Sequence, residues 1–273
     1  MKFSFINLGC PDWDLERTAE MAKAYGYDGV ELRSAGDNPH LYPNPPLSHR
    51  KRIKEIFGRQ GIEICCVAAY SRFASADEAE LDDNRQILIN DILSARDLDA
   101  KVVRSFLGEH GDMSHAEIIG RAAPYINYCC DVAHALGVTV AFETHDMWCG
   151  GGLMRLVFDH VTSPGAAILW DVGNNYLQGE TVGGFYDAVG SRCAHVHLKD
   201  LEIKPDGGAQ YRLPGEGTVP IDDCLNTLHR AVYDGYVTFE WEKRWHPELA
   251  EPETAFPKFI ERVSKWRSTL AQF

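Results

Sequence analysis

Three carboxylates and one imidazole stand out because each sits at the end of an apolar run. Glu143 closes VTVAFE, Asp171 closes AILWD, His197 lies in AHVHL and Glu240 closes YVTFE. A lone carboxylate buried in such a run is costly without a counter-charge. Four metal-capable side chains at four run ends therefore imply a cation between them. This donor set suits Mn²⁺, Mg²⁺ or Co²⁺, and admits Zn²⁺; a structural zinc site would draw on Cys and His. None of the 8 Cys falls at these run ends, and no CxxC pair occurs. Singly, each residue has a plainer role. Asp171 could cap the following turn, and His197 could be a hydrogen-bonded core histidine. Only the set carries the metal reading.

Other candidates flank these four. Lys199 lies two residues after His197, so period-2 alternation puts it on the same strand face. It could neutralise an oxyanion or hold a carboxylate or phosphate, or it could pair with Glu216 or Asp200. His145 and Trp148 could floor a sugar pocket, with ordinary loop packing as the alternative. Glu109 and His110 follow the fourth run and read better as a solvated loop. Arg104, inside VVRSF, needs a partner if buried, and a structural ion pair is the expected role. Arg212, Arg244 and His246 lie on loops above the last runs as candidate substrate contacts. Glu31, in VELR at the end of the second run, could bond substrate or act from a second layer. Glu242 shares the parity of Glu240 and competes with it, but Glu240 stands nearer the strand start.

The elements that must position these residues alternate along the chain. Short β-rich runs are expected at Phe3–Asn7, Gly29–Arg33, Ile62–Ala68, Val102–Leu107, Val138–Thr144, Ala167–Val172, Ala194–Leu198 and Val237–Trp241. Helical patterns fall between them, at Leu15–Tyr25, Leu47–Arg59, Ala79–Leu98, Ala116–Leu136, Leu153–His160, Val182–Val189, Ile221–Tyr233 and Glu253–Leu270. Repeated strand-then-helix order argues for right-handed crossovers and parallel pairing, and eight such strands close a barrel. The expectation is one α/β domain over residues 1–273, a (β/α)8 TIM barrel with its chemistry at the carboxyl ends of the strands. Several helices are read as stopping at Gly, namely Gly26, Gly61, Gly137 and Gly235, because Gly tolerates the left-handed conformation there. The proline-rich stretch 39–46 reads as a long loop.

Bulk properties narrow the partners. The chain has 273 residues and a formal net charge of -13, with 27 Lys plus Arg against 40 Asp plus Glu. That field repels polyphosphates and anionic membranes, which argues against nucleic acid as a partner, although plain solubility explains the acidity as well. No window approaches the roughly 18 apolar residues of a membrane span. The opening MKFSFINLGC lacks the pattern of a signal peptide, and adjacent cysteines in apolar stretches read as buried free thiols. A cytoplasmic location is the expectation. No glycine-rich phosphate cradle is present, which favours a non-phosphorylated substrate.

The motifs GYDGVELR, AFETHD, LWDVGN, HVHLKD, LPGEGTVPID and GYVTFEWE together resemble the xylose-isomerase-like barrel family of sugar (phosphate) isomerases and epimerases, over nearly the whole chain. The resemblance implies that Glu143, Asp171, His197 and Glu240 bind one divalent metal. It also implies that Glu143 and Glu240 double as acid and base on a small sugar or polyhydroxy ketone, through a metal-stabilised enediolate. Returning the proton to the opposite face epimerises, and returning it to the next carbon isomerises. Expelling a β-hydroxyl instead would make a dehydratase of inosose or dehydroshikimate type, and loss of chemistry would leave a sugar-binding barrel. Many epimerases of the family carry a substrate-binding His where Asn174 stands; Asn keeps the hydrogen bond but not the charge. Abasic-site endonucleases of this barrel need that His for a multi-metal cluster, so Asn174 argues against DNA repair. The resemblance leaves a homo-oligomer open, with Trp245–His246–Pro247 as a contact.

Overall fold

The computed structural model describes residues 1–38, 40–204 and 207–270. Its strands are β1 (Lys2–Ile6), β2 (Gly29–Arg33), β3 (Glu63–Arg72), β4 (Val102–Phe106), β5 (Thr139–Glu143), β6 (Ala166–Asp171), β7 (Cys193–Leu198), β8 (Asp200–Ile203), β9 (Ala209–Arg212) and β10 (Tyr236–Phe239). All but β8 and β9 form a closed parallel barrel in the order β1-β10-β7-β6-β5-β4-β3-β2. The helices are α1 (Leu15–Tyr25), α2 (Leu47–Gln60), α3 (Glu78–Asp97), α4 (His115–Ala135), α5 (Gly151–His160), α6 (Val172–Leu177), α7 (Val182–Val189), α8 (Ile221–Arg230) and α9 (Pro252–Leu270). The expected (β/α)8 barrel is therefore present. Strands β2, β4 and β6 are buried on both faces, one filling the barrel and the other meeting helices, which is why their sequences are apolar runs without alternation.

Local chemistry sets the boundaries. Asp14 caps α1 by accepting from the Arg17 amide, and Ser114 with Glu117 forms a reciprocal capping box on α4. Gly26, Gly61 and Gly137 take φ of 85°, 70° and 71°, as the helix-stop reading requires. Gly235 does not. Helix α8 ends at Arg230 instead, and Val232, at φ 55°, takes the left-handed turn. The stretch 40–46 is loop, and Pro39 lies outside the described residues. Among the described residues no helix is long and apolar enough to cross a membrane. The eight cysteines are free, and burial pushes the Cys129 and Cys149 thiols up to about 12.

Three features were not anticipated. Strand β3 runs on to Arg72, past the expected Ala68, which carries Tyr70 and Arg72 to the barrel mouth. The short helix α6 starts directly on Asp171. An antiparallel hairpin, β8 with β9, stands on the loop after β7.

One buried acid bears on stability. Asp91 of α3 is fully buried; Ser34 Oγ donates to its Oδ1 at 2.5 Å, while its Oδ2 has no hydrogen-bond partner among the described residues. Burial raises its carboxyl to about 7, although the Ser34 bond works the other way. Between its ordinary value of 3.8 and about 7 the folded state holds a proton that the unfolded chain releases, so stability falls as pH rises through that window. Asp91→Asn should remove this slope. Thermal melts should show the variant more stable than the parent at pH 8, with the gap closing towards pH 4; a constant gap would contradict the assignment.

Candidate metal centre

The barrel brings the four run-end residues together. Glu143 ends β5, Asp171 ends β6, His197 lies on β7 and Glu240 directly follows β10. One ligand atom from each lies within 4.8 Å of all the others, and all four residues are buried. His197 Nδ1 is 3.3 Å from Glu240 Oε1 and 3.7 Å from Glu143 Oε1. Ligand bonds of about 2.0–2.2 Å leave neighbouring donors about 3–3.5 Å apart and opposite ones above 4 Å, so the spacing accepts one ion. His197 Nδ1 is buried with no hydrogen-bond partner among the described residues, a condition that a cation would relieve, while Glu143 Oε2 and Asp171 Oδ2 lie within ion-pair distance of Arg104 and Lys199.

Each ligand is oriented by a neighbour. His197 Nε2 donates to Glu31 Oε2 at 2.9 Å; a carboxylate only accepts, so this bond aims Nδ1 at the other three ligands. His195 Nε2 lies 3.0 Å from the same oxygen and 2.7 Å from Thr238 Oγ1, which shares a hydrogen bond with Ser4. Asp171 accepts the Asn174 amide on Oδ1 at 2.8 Å as the cap of α6, leaving Oδ2 for the centre. The capping role and the metal-facing role thus fall on different oxygens of one carboxylate.

Cations are interleaved with the acids. Lys199 Nζ lies 2.9 Å from Asp171 Oδ2, 2.7 Å from Glu240 Oε2 and 3.0 Å from Glu242 Oε1. Its stem crosses Gly173, where a Cβ would come within 2.6 Å of Lys199 Cγ. Arg104 Nη1 lies 3.2 Å from Glu143 Oε2 and 4.0 Å from Glu240 Oε1. Glu31, Glu143, Asp171, Glu240 and Glu242 outnumber Arg104 and Lys199, an excess of negative charge that a divalent ion would offset. Burial pushes the Glu240 carboxyl up, but Lys199 and His197 outweigh it and hold it well below the ordinary range. Burial likewise opposes the ionised form of Glu143, and Arg104 brings it below its ordinary value. Asp171 goes the other way: burial, with Glu240 and Glu143 adding to it, lifts it to about 7 despite Lys199.

The remaining candidates scatter. Lys199 pairs with neither Glu216 nor Asp200. Asp200 accepts the amides of Gly215, Gly217 and Val219 and so pins the GEG loop. Glu216 is turned outward onto Lys258 at 2.7 Å, and Arg212 pairs with Glu202 at 2.7 Å. Both line a groove with Tyr211, Trp241 and His246 beside the hairpin. Trp148 is wholly buried, donates to the Gly108 carbonyl and packs edge-on against His110 and His115, so it floors no pocket. His145 pairs with Asp146 at 2.8 Å and sets its ring on Phe106. The side chain of Asn174 is committed to the Thr144 carbonyl. Glu109 lines a cleft with Arg72, Glu80 and Asp146. Arg244 reaches across to Asp37. Sequence reasoning passed over His195, although HVH alternation signals it, and over Arg33 and Tyr70, which carry no such signal.

The sequence profile of the xylose isomerase-like TIM barrel family matches residues 19–263. The chain belongs to that family. Fructoselysine 3-epimerase of Shigella flexneri is 23% identical over 252 residues, covering 88% of this chain and 90% of its own. A solved D-tagatose 3-epimerase-like protein superposes with a TM-score of 0.81 at 19% identity, over 100% of this chain and 99% of its own. The IOLI protein, solved with a bound zinc atom, gives 0.82 at 19% identity over 98% and 99%. At this identity the two solved structures confirm the fold.

If Glu31 orients His197, Glu31→Gln should weaken binding of Mn²⁺ or Zn²⁺ by about 10–100-fold, and His197→Ala should remove stoichiometric binding. Isothermal titration of the chelator-treated protein checks both; unchanged affinity in Glu31→Gln would refute the orienting role.

Proposed function

We propose that the protein is a divalent-metal-dependent epimerase or isomerase of a small sugar or polyhydroxy ketone, with Glu143 and Glu240 moving the proton. The observation that carries this reading is the convergence of Glu143, Asp171, His197 and Glu240 on one buried point at the carboxyl ends of their strands, where barrels of this class do their chemistry. The donor set favours Mn²⁺, Mg²⁺ or Co²⁺, with Zn²⁺ as a further occupant. A bound ion supplies Lewis acidity that acidifies the C–H beside a carbonyl.

The protein's own groups divide the rest of the work. Arg104 keeps Glu143 ionised, and Lys199 keeps Glu240 ionised, so either carboxylate can accept a C–H proton. In epimerisation one accepts that proton, and the other, ionised at rest, must first take up a proton from solvent before returning it on the opposite face. Lys199 also fixes Glu240 Oε2, with Oε1 turned towards His197 Nδ1. Curated relatives named as 3-epimerases support the reading.

A ketose panel followed by NMR in D₂O, with Mn²⁺ added, tests it. Turnover should place deuterium at one carbon alongside the epimer or aldose. Glu143→Gln and Glu240→Gln should each lower kcat by about 10²–10⁴-fold, with metal content measured in parallel. An ultraviolet-absorbing enone would reassign the site to dehydration, and metal binding without any exchange would leave a sugar-binding barrel.

A further inference from the structure

Along the β2–β4 side of the mouth, arginines and aromatic rings alternate in one continuous stack. The Arg244 guanidinium lies 5.3 Å from the ring of Trp245, and Arg33 lies 5.2 Å from that ring and 5.4 Å from Tyr70. Arg104 lies 5.1 Å from Tyr70 and 4.4 Å from Phe106. The stack starts at solvent, where Trp245 is 49% exposed, and ends at Arg104, which touches Glu143. Arg33 is almost wholly buried, with Nε donating to the Tyr70 hydroxyl at 2.8 Å.

The counter-charge is thin. Asp37 is a single carboxylate shared by Arg33 and Arg244, and Arg104 leans on acids that belong to the metal centre. The Nε atoms of Arg104 and Arg244 are buried with no hydrogen-bond partner among the described residues. Like charges held this close favour an added anion. Asp37 sits in a loop with its side chain about half exposed, so it can yield to an incoming oxyanion of the same shape. Guanidinium forks bind carboxylate and phosphate in pairs of parallel hydrogen bonds, so the lack of a glycine-rich cradle does not exclude an oxyanion.

We propose that this stack is the subsite for an anionic end of the substrate, a carboxylate or phosphate carried away from the reacting carbon on a chain that lies along the rings. The inference rests on the epimerase or isomerase reading for its substrate but not for its binding test. Arg33 and Arg244 make the contact, and Tyr70 and Trp245 position them.

Two measurements decide it. First, kcat/KM is compared for ribulose, ribulose 5-phosphate and a ketose joined to an amino acid, with Mn²⁺ present. The parent should prefer one of the anionic compounds by at least about tenfold, and Arg33→Gln and Arg244→Gln should each cut that preference by about 10–100-fold, chiefly through KM. Second, isothermal titration with inorganic phosphate and with N-acetylglycine shows which oxyanion binds, and the variants should lose that binding. Arg244 is at the surface, so its variant keeps the test open if Arg33→Gln fails to fold. Equal kcat/KM for neutral and charged ketoses, unmoved by either variant, overturns the subsite and leaves the epimerase reading intact. Oxyanion binding that both variants lose, with no ketose turned over, upholds the subsite and sinks the epimerase reading.

Discussion

Carboxylates packed at a barrel mouth repel one another, and every other feature of this site answers that repulsion. At about 4 Å and an effective dielectric near 20, two such charges cost about 4 kcal/mol. Glu143, Asp171 and Glu240 are all nearly or wholly buried, where water cannot absorb that cost. Lys199 and Arg104 absorb part of it. The remaining excess makes a divalent cation the natural completion, and it makes the positions of both cations as constrained as those of the ligands. Gly173 is one consequence: only a residue without a side chain lets the Lys199 stem pass to Asp171 and Glu240.

Beneath this layer lies a second one, built by strand parity. His195 and His197 are two residues apart on β7 and share a face, so both imidazoles meet Glu31 from β2 across the barrel interior. Burial alone would raise the Glu31 carboxyl, yet the two histidines bring it well below its ordinary range. An ionised Glu31 fixes His197 as an Nε2 donor. The orientation of a residue on β7 is therefore set from β2, three strands away across β10 and β1, and closing the barrel is a condition for forming the site.

The sequence made the barrel legible because each strand is a short apolar run bounded by helix stops, and burial on both faces leaves little ambiguity. It also made the four ligand candidates legible, since a charge ending such a run has few structural excuses. What it hid has physical causes. The β8–β9 hairpin has strands of four residues each, mixed in character and with no alternating core pattern. Helix α6 is six residues long and starts on a cap that already looked like a ligand. Arg212 and Trp148 were read as substrate contacts and Glu216 as a partner of Lys199 or substrate, but loop direction decides such cases, and loop direction is not written in residue type. Lys199 was assigned the right face and the wrong partners, because its reach depends on Gly173 from the neighbouring strand-to-helix turn.

The arginine–aromatic stack shows the same limit from the other side. Arg33, Tyr70, Arg104 and Trp245 come from four separate segments, and none has a spacing relation to another. Their assembly follows from the extension of β3 to Arg72, which lifts Tyr70 to the level of Arg33 and Arg104. On the proposed reading, a centre that is acidic once its cations are counted, faced by a basic wall one ring away, would sort a substrate by polarity: reacting oxygens towards the carboxylate side, an anionic end towards the guanidinium side. With a single orientation enforced, a proton-transfer site that could serve epimerisation, isomerisation or dehydration is presented with one carbon at a time.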